Sequence, residues 1–397
     1  YGDHRDLHLS LRRQRQMCIR DRYVCSLGAF YPLLYFIGFS LFIILGDLFL
    51  KQDDKIQEYK NVFWLDFPIY LNLPLLILFL MMVVFTFGEN DSTLFSSFFL
   101  YNLNIDLVQF RDSILFIDKI SLVALSGLFI GIMGTVPGHE LSHRINNKFD
   151  LLIGSWLLSL SWDCAFAIEH VHGHHKNVGL PKDPATARRG DNIYTFIFNA
   201  IINEHKDAWR IELKRLRSKS VSLFGINNKL IMGYAKSFSI SFLSFLVGGY
   251  SGLVVFLLCS FIAKALLEVI NYTEHYGLIR VEGEKVMPRH SWNSNSIMSS
   301  IYLYNVTRHS SHHEKAYLKF WELRPYKDSP MMPYGYLTML YMAIFTPYFF
   351  HRVMSKKLIE WDNNFASKKE KELASIENER SGLSPVSYTH LTLPTKA

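Results

Sequence analysis

Three stretches of this chain run without a charged residue for longer than the core helix of a soluble domain requires. Residues 23–46, 67–88 and 120–138 contain no Asp, Glu, Lys or Arg, and about 20 apolar residues cross the hydrocarbon of a bilayer. A fourth apolar stretch, residues 230–271, is about twice the length of one crossing. Inside lipid the backbone must satisfy its own hydrogen bonds, so each crossing is expected as a helix. The sequence Gly248-Gly249-Tyr250-Ser251-Gly252 interrupts the fourth stretch near its middle and points to a helical hairpin. One long tilted helix continuing into the cytosol is the alternative. Lys236, Lys264 and Glu268 sit towards the ends of the two arms, where long side chains can reach water. Five spans are therefore expected, at residues 24–46, 67–88, 120–138, 230–249 and 250–271. Composition agrees, because 19% of residues are charged against roughly 25% in soluble domains.

The third run ends directly at His139, where the histidines begin. They fall in four clusters: His139-Glu140-Leu141-Ser142-His143, Glu169-His170-Val171-His172-Gly173-His174-His175, Glu274-His275 and His309-Ser310-Ser311-His312-His313. Imidazole is the commonest metal ligand, and clusters this dense read as metal binding. Nine histidines form the candidate set: His139, His143, His170, His174, His175, His275, His309, His312 and His313. One ion takes four to six ligands, so this inventory suits two ions. His139 with His143, and His170 with His174, are spaced i, i+4 for one helix face; His309, His312 and His313 repeat the i, i+3, i+4 pattern. His172 falls on the opposite face. Glu140, Glu169 and Glu274 each adjoin a ligand, either to accept a ring N–H and fix the tautomer or as plain helix-surface charge. HExxH is also the zincin motif, with Glu140 as the base, but that reading leaves the other clusters idle. His205, His290 and His351 stand alone and are expected to hold no metal. No catalytic residue beyond the ligands and no organic-cofactor site is expected.

A shared site constrains the topology. The first two clusters follow the third span and the last two follow the fifth, so a hairpin at 230–271 returns all nine histidines to one face. The uncharged run at 151–162 is too short to cross and suits a buried or interfacial helix. Residues 139–229 are rich in Arg and Lys, among them Arg144, Lys148, Lys176, Arg188, Arg189 and Lys214, whereas 89–119 carries Glu89, Asp91, Asp106 and Asp112. The positive-inside rule therefore puts the histidines on the cytoplasmic side. The net charge of +7 reads as basic loops and not as a nucleic-acid surface, for which no basic helix is present. By parity the first span begins outside, as it would if a preceding span were replaced by a foreign leader. Residues 1–22 and 386–397 read as a non-native leader and tail, leaving 23–385 as one membrane domain. Residues 331–350, apolar but broken by Pro333 and Pro347, suggest an interfacial helix, with a sixth crossing as the alternative; 355–385 read as a polar tail. The expected fold is all-α, a multi-span membrane helical bundle with a cytoplasmic helical cap that holds the histidines.

The ordered motifs HELSHR (139–144), EHVHGHH (169–175), NYTEHYG (271–277) and RHSSHH (308–313) resemble those of the integral-membrane non-haem diiron hydroxylases. Within them the chain looks like the alkane 1-monooxygenases and the xylene monooxygenase hydroxylase subunit. DPATAR (183–188), HSWNSN (290–295) and ELRPYKDSPMMP (322–333) extend the resemblance over residues 24–375. Fatty acid desaturases share the HxxxH and HxxHH boxes; NYTEHYG and the GHH ending favour the hydroxylases. ELRPYKDSPMMP leans towards the xylene type, EHVHGHH and HSWNSN towards the alkane type. The resemblance implies two iron ions on the nine histidines and O2 as co-substrate. It further implies hydroxylation of a terminal methyl of a medium-chain alkane or alkyl-substituted arene, delivered through membrane lipid. Cys18, Cys25, Cys164 and Cys259 form no CxxC pair, so the electron donor, a rubredoxin or a [2Fe–2S] ferredoxin and reductase, is a separate protein. The bacterial inner membrane is the implied location. The alternatives are a desaturase or lipid hydroxylase of the same superfamily, a membrane zinc metalloprotease, and a metal-storing membrane protein.

Overall fold

The computed structural model describes residues 27–56, 59, 61–89, 91 and 93–382; the expected leader and tail lie outside the described residues. In chain order the helices are α1 (Tyr31–Phe49), α2 (Phe63–Phe85), α3 (Thr93–Leu103), α4 (Leu107–Ser113), α5 (Phe116–Ser142), α6 (Lys148–Ser159), α7 (166–177), α8 (Ile193–Ser218), α9 (Lys229–His275), α10 (Ile297–Tyr302), α11 (His309–Glu314), α12 (Tyr336–Phe345), α13 (Pro347–Asn364) and α14 (Lys368–Ser381). Among the described residues there is no strand, only isolated bridges at Gln52–Ser296 and Asn293–Met331. α1, α2, α5 and α9 are long and apolar enough to cross a membrane. The chain divides into two units, one of residues 1–42, 59–167 and 216–266, the other of 43–58, 168–215 and 267–397.

The first unit holds α2 to α6 and most of α9. Asp118 caps α5 by accepting from Leu115 N (3.0 Å) and also receives Phe30 N (3.0 Å) at the start of α1. One buried carboxylate thus fixes two helix entries. Phe129 on α5 meets Phe39 edge-on (5.7 Å) and Phe79 (5.4 Å). α9 reverses at Gly249, whose φ of 63° and ψ of −154° are not helical. A Cβ on Gly252 would stand 2.9 Å from Ser244 O, although residues eight apart in a straight helix are about 12 Å apart. Ser237 Oγ and Ser260 Oγ donate to adjacent carbonyls, Ser159 O (3.1 Å) and Leu160 O (2.7 Å). The two arms therefore run back along each other, with Val84 of α2 against Gly248 and Gly252. Lys264 does not reach for water: it is buried and pairs with the fully buried Asp163 at 2.9 Å, because a buried charge is tolerated only beside its opposite.

In the second unit Asp47, near the end of α1, is an anchor. It accepts from Ser299 N (3.0 Å), Ser299 Oγ (2.7 Å) and Thr338 Oγ1 (3.0 Å). Glu268, also expected at an arm end, is buried and accepts from Asn271 Nδ2 at 3.0 Å. The apolar run at 331–350 is not one helix; α12 ends at Phe345 and α13 begins at Pro347, whose ring cannot continue the preceding helix. Nor are residues 355–385 a loose tail. Arg189, wholly buried, donates to Asp362 at 2.6 Å, to Asn378 and to Gly277 O at 3.0 Å. Glu370 accepts from Arg289 Nε (2.9 Å) and meets His290 Nε2 (2.7 Å). Buried ion pairs far apart in sequence dock α13 and α14, which a polar composition alone does not reveal.

Candidate metal centre

Two helices that carry ligands contain a widened turn. In α5 the segment Ile130–Thr135 is a π-turn, in which Val136 N–H donates five residues back to Gly131 O. In α7 the segment His170–His174 is another, with His175 N–H donating to His170 O. Such turns insert one extra residue and re-aim the side chains beyond it, and they concentrate at functional sites. The second one corrects the expected register. His170 is grouped with His175, their Nε2 atoms 3.0 Å apart, while His174 joins a different set. At Gly173 the Glu169 carboxylate folds back into the space a Cβ would occupy, so any larger residue there would have to displace that side chain.

Within the second unit the histidines form two groups. His174, His275, His309 and His313 bring their ring nitrogens within 4.8 Å of one another, and so do His170, His175 and His312. α11 serves both, with His309 and His313 in one group and His312 in the other. In the first unit His139 and His143 oppose their Nε2 atoms at 3.2 Å. All but His143 and His175 are buried. His172 is exposed, His205 Nδ1 lies on its own helix at Ile201 O (3.1 Å), and His290 and His351 contact Glu370 and Tyr276.

The tautomers can be read from the partners. His275 Nδ1 lies 3.2 Å from His290 O, His309 Nδ1 3.2 Å from Val306 O, and His174 Nδ1 2.9 Å from Asp183 Oδ2. A carbonyl or ionised carboxylate only accepts, so each Nδ1 carries the hydrogen and each Nε2 a lone pair. Two of those lone pairs face each other, Nε2 of His309 lying 3.1 Å from that of His275, and Nε2 of His313 is 3.0 Å from that of His309. His174 Nε2 is buried with no hydrogen-bond partner among the described residues. Facing lone pairs at this distance repel unless a cation sits between them. Nitrogens bound at about 2.1 Å and at right angles around one ion would be about 3.0 Å apart, so the donor set fits a metal. Imidazole suits iron, zinc, copper and nickel.

Burial and the surrounding charges act on the individual rings in opposite directions. Burial works against a charged His174 ring, but Asp183 outweighs it and holds the ring's pKa above its ordinary value. Burial also opposes the Asp183 carboxylate, yet His174 beside it holds its pKa below the usual range. Burial, with the neighbouring imidazoles of His175 and His309 behind it, pushes His313 well below its ordinary value, which keeps that ring neutral and able to bind a metal. The glutamates depart from the expected role. Glu274 Oε2 lies 3.2 Å from His309 Nε2, on the lone-pair side and not at the N–H. Glu140 accepts from Arg144 (2.8 and 3.1 Å), which also binds Asp66 at 2.7 Å; a zincin base would be unpaired by a cation. The acceptor sequence reasoning missed is Asp183, in DPATAR. Its only signal was its place nine residues beyond His174.

Comparison with known proteins places this architecture. The fatty acid desaturase family matches residues 120–343. The xylene/toluene monooxygenase hydroxylase component XylM of Pseudomonas putida is 31% identical over 366 residues, 90% of this chain and 92% of XylM. Alkane 1-monooxygenase 1 of Pseudomonas aeruginosa is 39% identical over 241 residues, 58% of this chain and 62% of that protein. Alkane 1-monooxygenase 2 of Alcanivorax borkumensis is 36% identical over 247 residues, 61% of this chain and 64% of that protein. The matches to these alkane monooxygenases thus cover less than two thirds of their length. With a family match over more than half its length and XylM aligned nearly end to end, the chain belongs to the fatty acid desaturase family, in the branch that holds the alkane and xylene monooxygenases.

Proposed function

We propose that the protein is a membrane monooxygenase that converts a terminal methyl of a medium-chain alkane or an alkyl-substituted arene to a primary alcohol. The overall change is RCH3 + O2 + 2 electrons + 2 H+ giving RCH2OH + H2O. The observation that carries the reading is the set of converging imidazole nitrogens of His174, His275, His309 and His313, joined to the near full-length similarity to XylM. Two iron ions would be held, one by those four residues and one by His170, His175 and His312, while the resemblance of HELSHR to the family's first histidine motif is what counts His139 and His143 among the ligands. When bound, the iron supplies the reduction of O2 and the oxidation of the C–H bond. The chain's own part is to present Nε2 lone pairs and to fix each tautomer through Asp183, His290 O and Val306 O. It also keeps water from the centre, since seven of the nine rings are buried. Electrons come from a rubredoxin or a [2Fe–2S] ferredoxin and its reductase. The site faces the cytoplasm from the bacterial inner membrane, a placement supported by the basic residues of 139–229. An apolar substrate concentrated in lipid is the reason to build a metal centre on membrane helices.

The test is whole-cell conversion of octane, p-xylene and a saturated acyl substrate under labelled O2, with each electron-donor system supplied. Labelled primary alcohol supports the hydroxylase. An alkene without incorporated oxygen moves the protein to the desaturase activity of its wider family. Alanine at His139, His174 or His312 should abolish turnover.

A further inference from the structure

We propose that α8 and the corner between α12 and α13 form an interfacial anchor, a face that lies in the headgroup region of the bilayer and sinks its aromatic residues among acyl chains. The inference goes beyond the monooxygenase reading and stands without it. α8 carries two rows of residues at four-residue spacing. Phe196, Ala200, Glu204, Ala208 and Glu212 are buried, whereas Tyr194, Phe198, Ile202, Lys206, Arg210 and Lys214 are exposed. Two residues turn a helix through about 200°, so the second row faces away from the first along its whole length. Its first three members are apolar or aromatic and its last three are cations. Tyr194 Oη donates to Ile344 O at 2.7 Å, which sets the apolar end of the row beside Phe345, Tyr348 and Phe349. Those three and Tyr194, Phe198 and Ile202 are between 50% and 72% exposed. They form a patch and not isolated surface residues, and such patches mark membrane or protein contacts.

What covers the patch follows from where α8 lies. Residues 196 and 204 are about 12 Å apart along α8. Yet Phe196 meets Tyr272 edge-on at 5.3 Å, and Glu204 accepts from Asn271 Nδ2 at 3.4 Å. Adjacent residues of α9 meet both, so α8 crosses α9 and does not run beside it. α9 is apolar and long enough to cross a membrane, and residues 271 and 272 stand at the end of its second arm. A helix lying across the end of a span is parallel to the bilayer surface. Phe350, at the start of α13, packs on the same Tyr272 at 5.3 Å, which brings the α12–α13 corner to that level.

The row's chemistry changes in the way an interfacial helix requires, with aromatic and apolar residues for the acyl boundary and cations for the headgroups. Net charge does not choose the occupant, because Asp207 pairs with Arg210 at 2.5 Å and Glu212 with Arg215 at 2.6 Å. Lys206 and Lys214 have no ion pair among the described residues, and lysine stems can lie along lipid while the ammonium stays in water. The anchor holds the unit that carries His174, His275, His309 and His313 against the leaflet.

The test places single nitroxide labels on the full chain in vesicles of phosphatidylethanolamine and phosphatidylglycerol. Cys18 and Cys25 are replaced by serine, and the buried Cys164 and Cys259 are kept. Labels go on Phe198→Cys, Ile202→Cys, Tyr348→Cys, Lys214→Cys and the exposed Glu282→Cys, each variant first shown to melt like the wild type. Power-saturation spectra then measure collisions with O2, which concentrates in lipid, and with a nickel chelate confined to water. O2 collisions should exceed nickel collisions at 198, 202 and 348, at a depth of about 5–10 Å, and the ratio should invert at 214 and 282. Three sites on two segments keep any one misfolded variant from deciding the outcome. Nickel collisions in excess at 198, 202 and 348, as at 282, would put the face in water and overturn the proposal. Exclusion of both reagents, with dipolar broadening that unlabelled protein dilutes away, would mean that a second copy covers the face and would overturn it equally.

Discussion

Asp183→Asn isolates the contribution of one carboxylate to the metal centre. Oδ2 of Asp183 receives His174 Nδ1 at 2.9 Å and Thr186 Oγ1 at 2.6 Å, while Oδ1 accepts from Ala185 N at 3.3 Å. All three partners are donors. An asparagine offers one acceptor and one donor end, so it cannot satisfy all three. If its amide turns towards His174, the ring hydrogen moves to Nε2, where the metal must bind. Losing such an acceptor typically costs 10–100-fold in metal affinity, which corresponds to about 1.4–2.7 kcal/mol. The absence of solvent at Asp183 and the frustrated amide put the expected loss at the upper end. Competition with a chromophoric chelator on purified protein measures it, and metal content at limiting iron should fall towards one ion per chain. Affinity within twofold of wild type would refute the tautomer argument.

Other perturbations probe other links. Glu370 has its pKa held to about 2, below its ordinary 4.5; burial opposes this, but His290 and Arg289 outweigh it. The stability it contributes is present above about 4.5 and is lost as pH falls towards 2. Glu370→Gln should therefore lower stability by about 2–3 kcal/mol at neutral pH, with thermal melts converging with wild type over that acidic window. Gly249→Ala places a Cβ at a backbone conformation that essentially only glycine adopts, at a cost of about 1–3 kcal/mol, read as a lower melting temperature in detergent. Cysteine at Glu282, an exposed position, should be shielded from an impermeant maleimide added to intact cells, whereas cysteine at Asp112 should react; the reverse pattern would contradict a cytoplasmic metal centre. His205→Ala should leave activity within about twofold of wild type, because surface changes away from special features are usually small.

Much of the fold was legible in the sequence because its causes are local. Uncharged runs such as 67–88 declare helices, and the glycines at 248–252 declare a reversal, since only glycine tolerates Gly249's backbone and the close approach at Gly248. The nine candidate histidines stood out by density alone. Their division into groups was not. It depends on the π-turn at His170–His174, which changes the register from i, i+4 to i, i+5 and separates His174 from His170. Asp183 was equally hidden, because an acceptor within a loop carries no periodic signal. The docked helices α13 and α14 read as a polar tail, since Arg189 reaches Asp362 across 173 residues and no local pattern encodes such a pair.

A pair of iron ions on nine histidines fixes a metal content that can be counted. Metal analysis of the protein purified from iron-replete cells, combined with Mössbauer spectroscopy, tests it directly. Two irons per chain are expected, with His174→Ala and His312→Ala each losing one from a different site. One zinc per chain and no iron would contradict it.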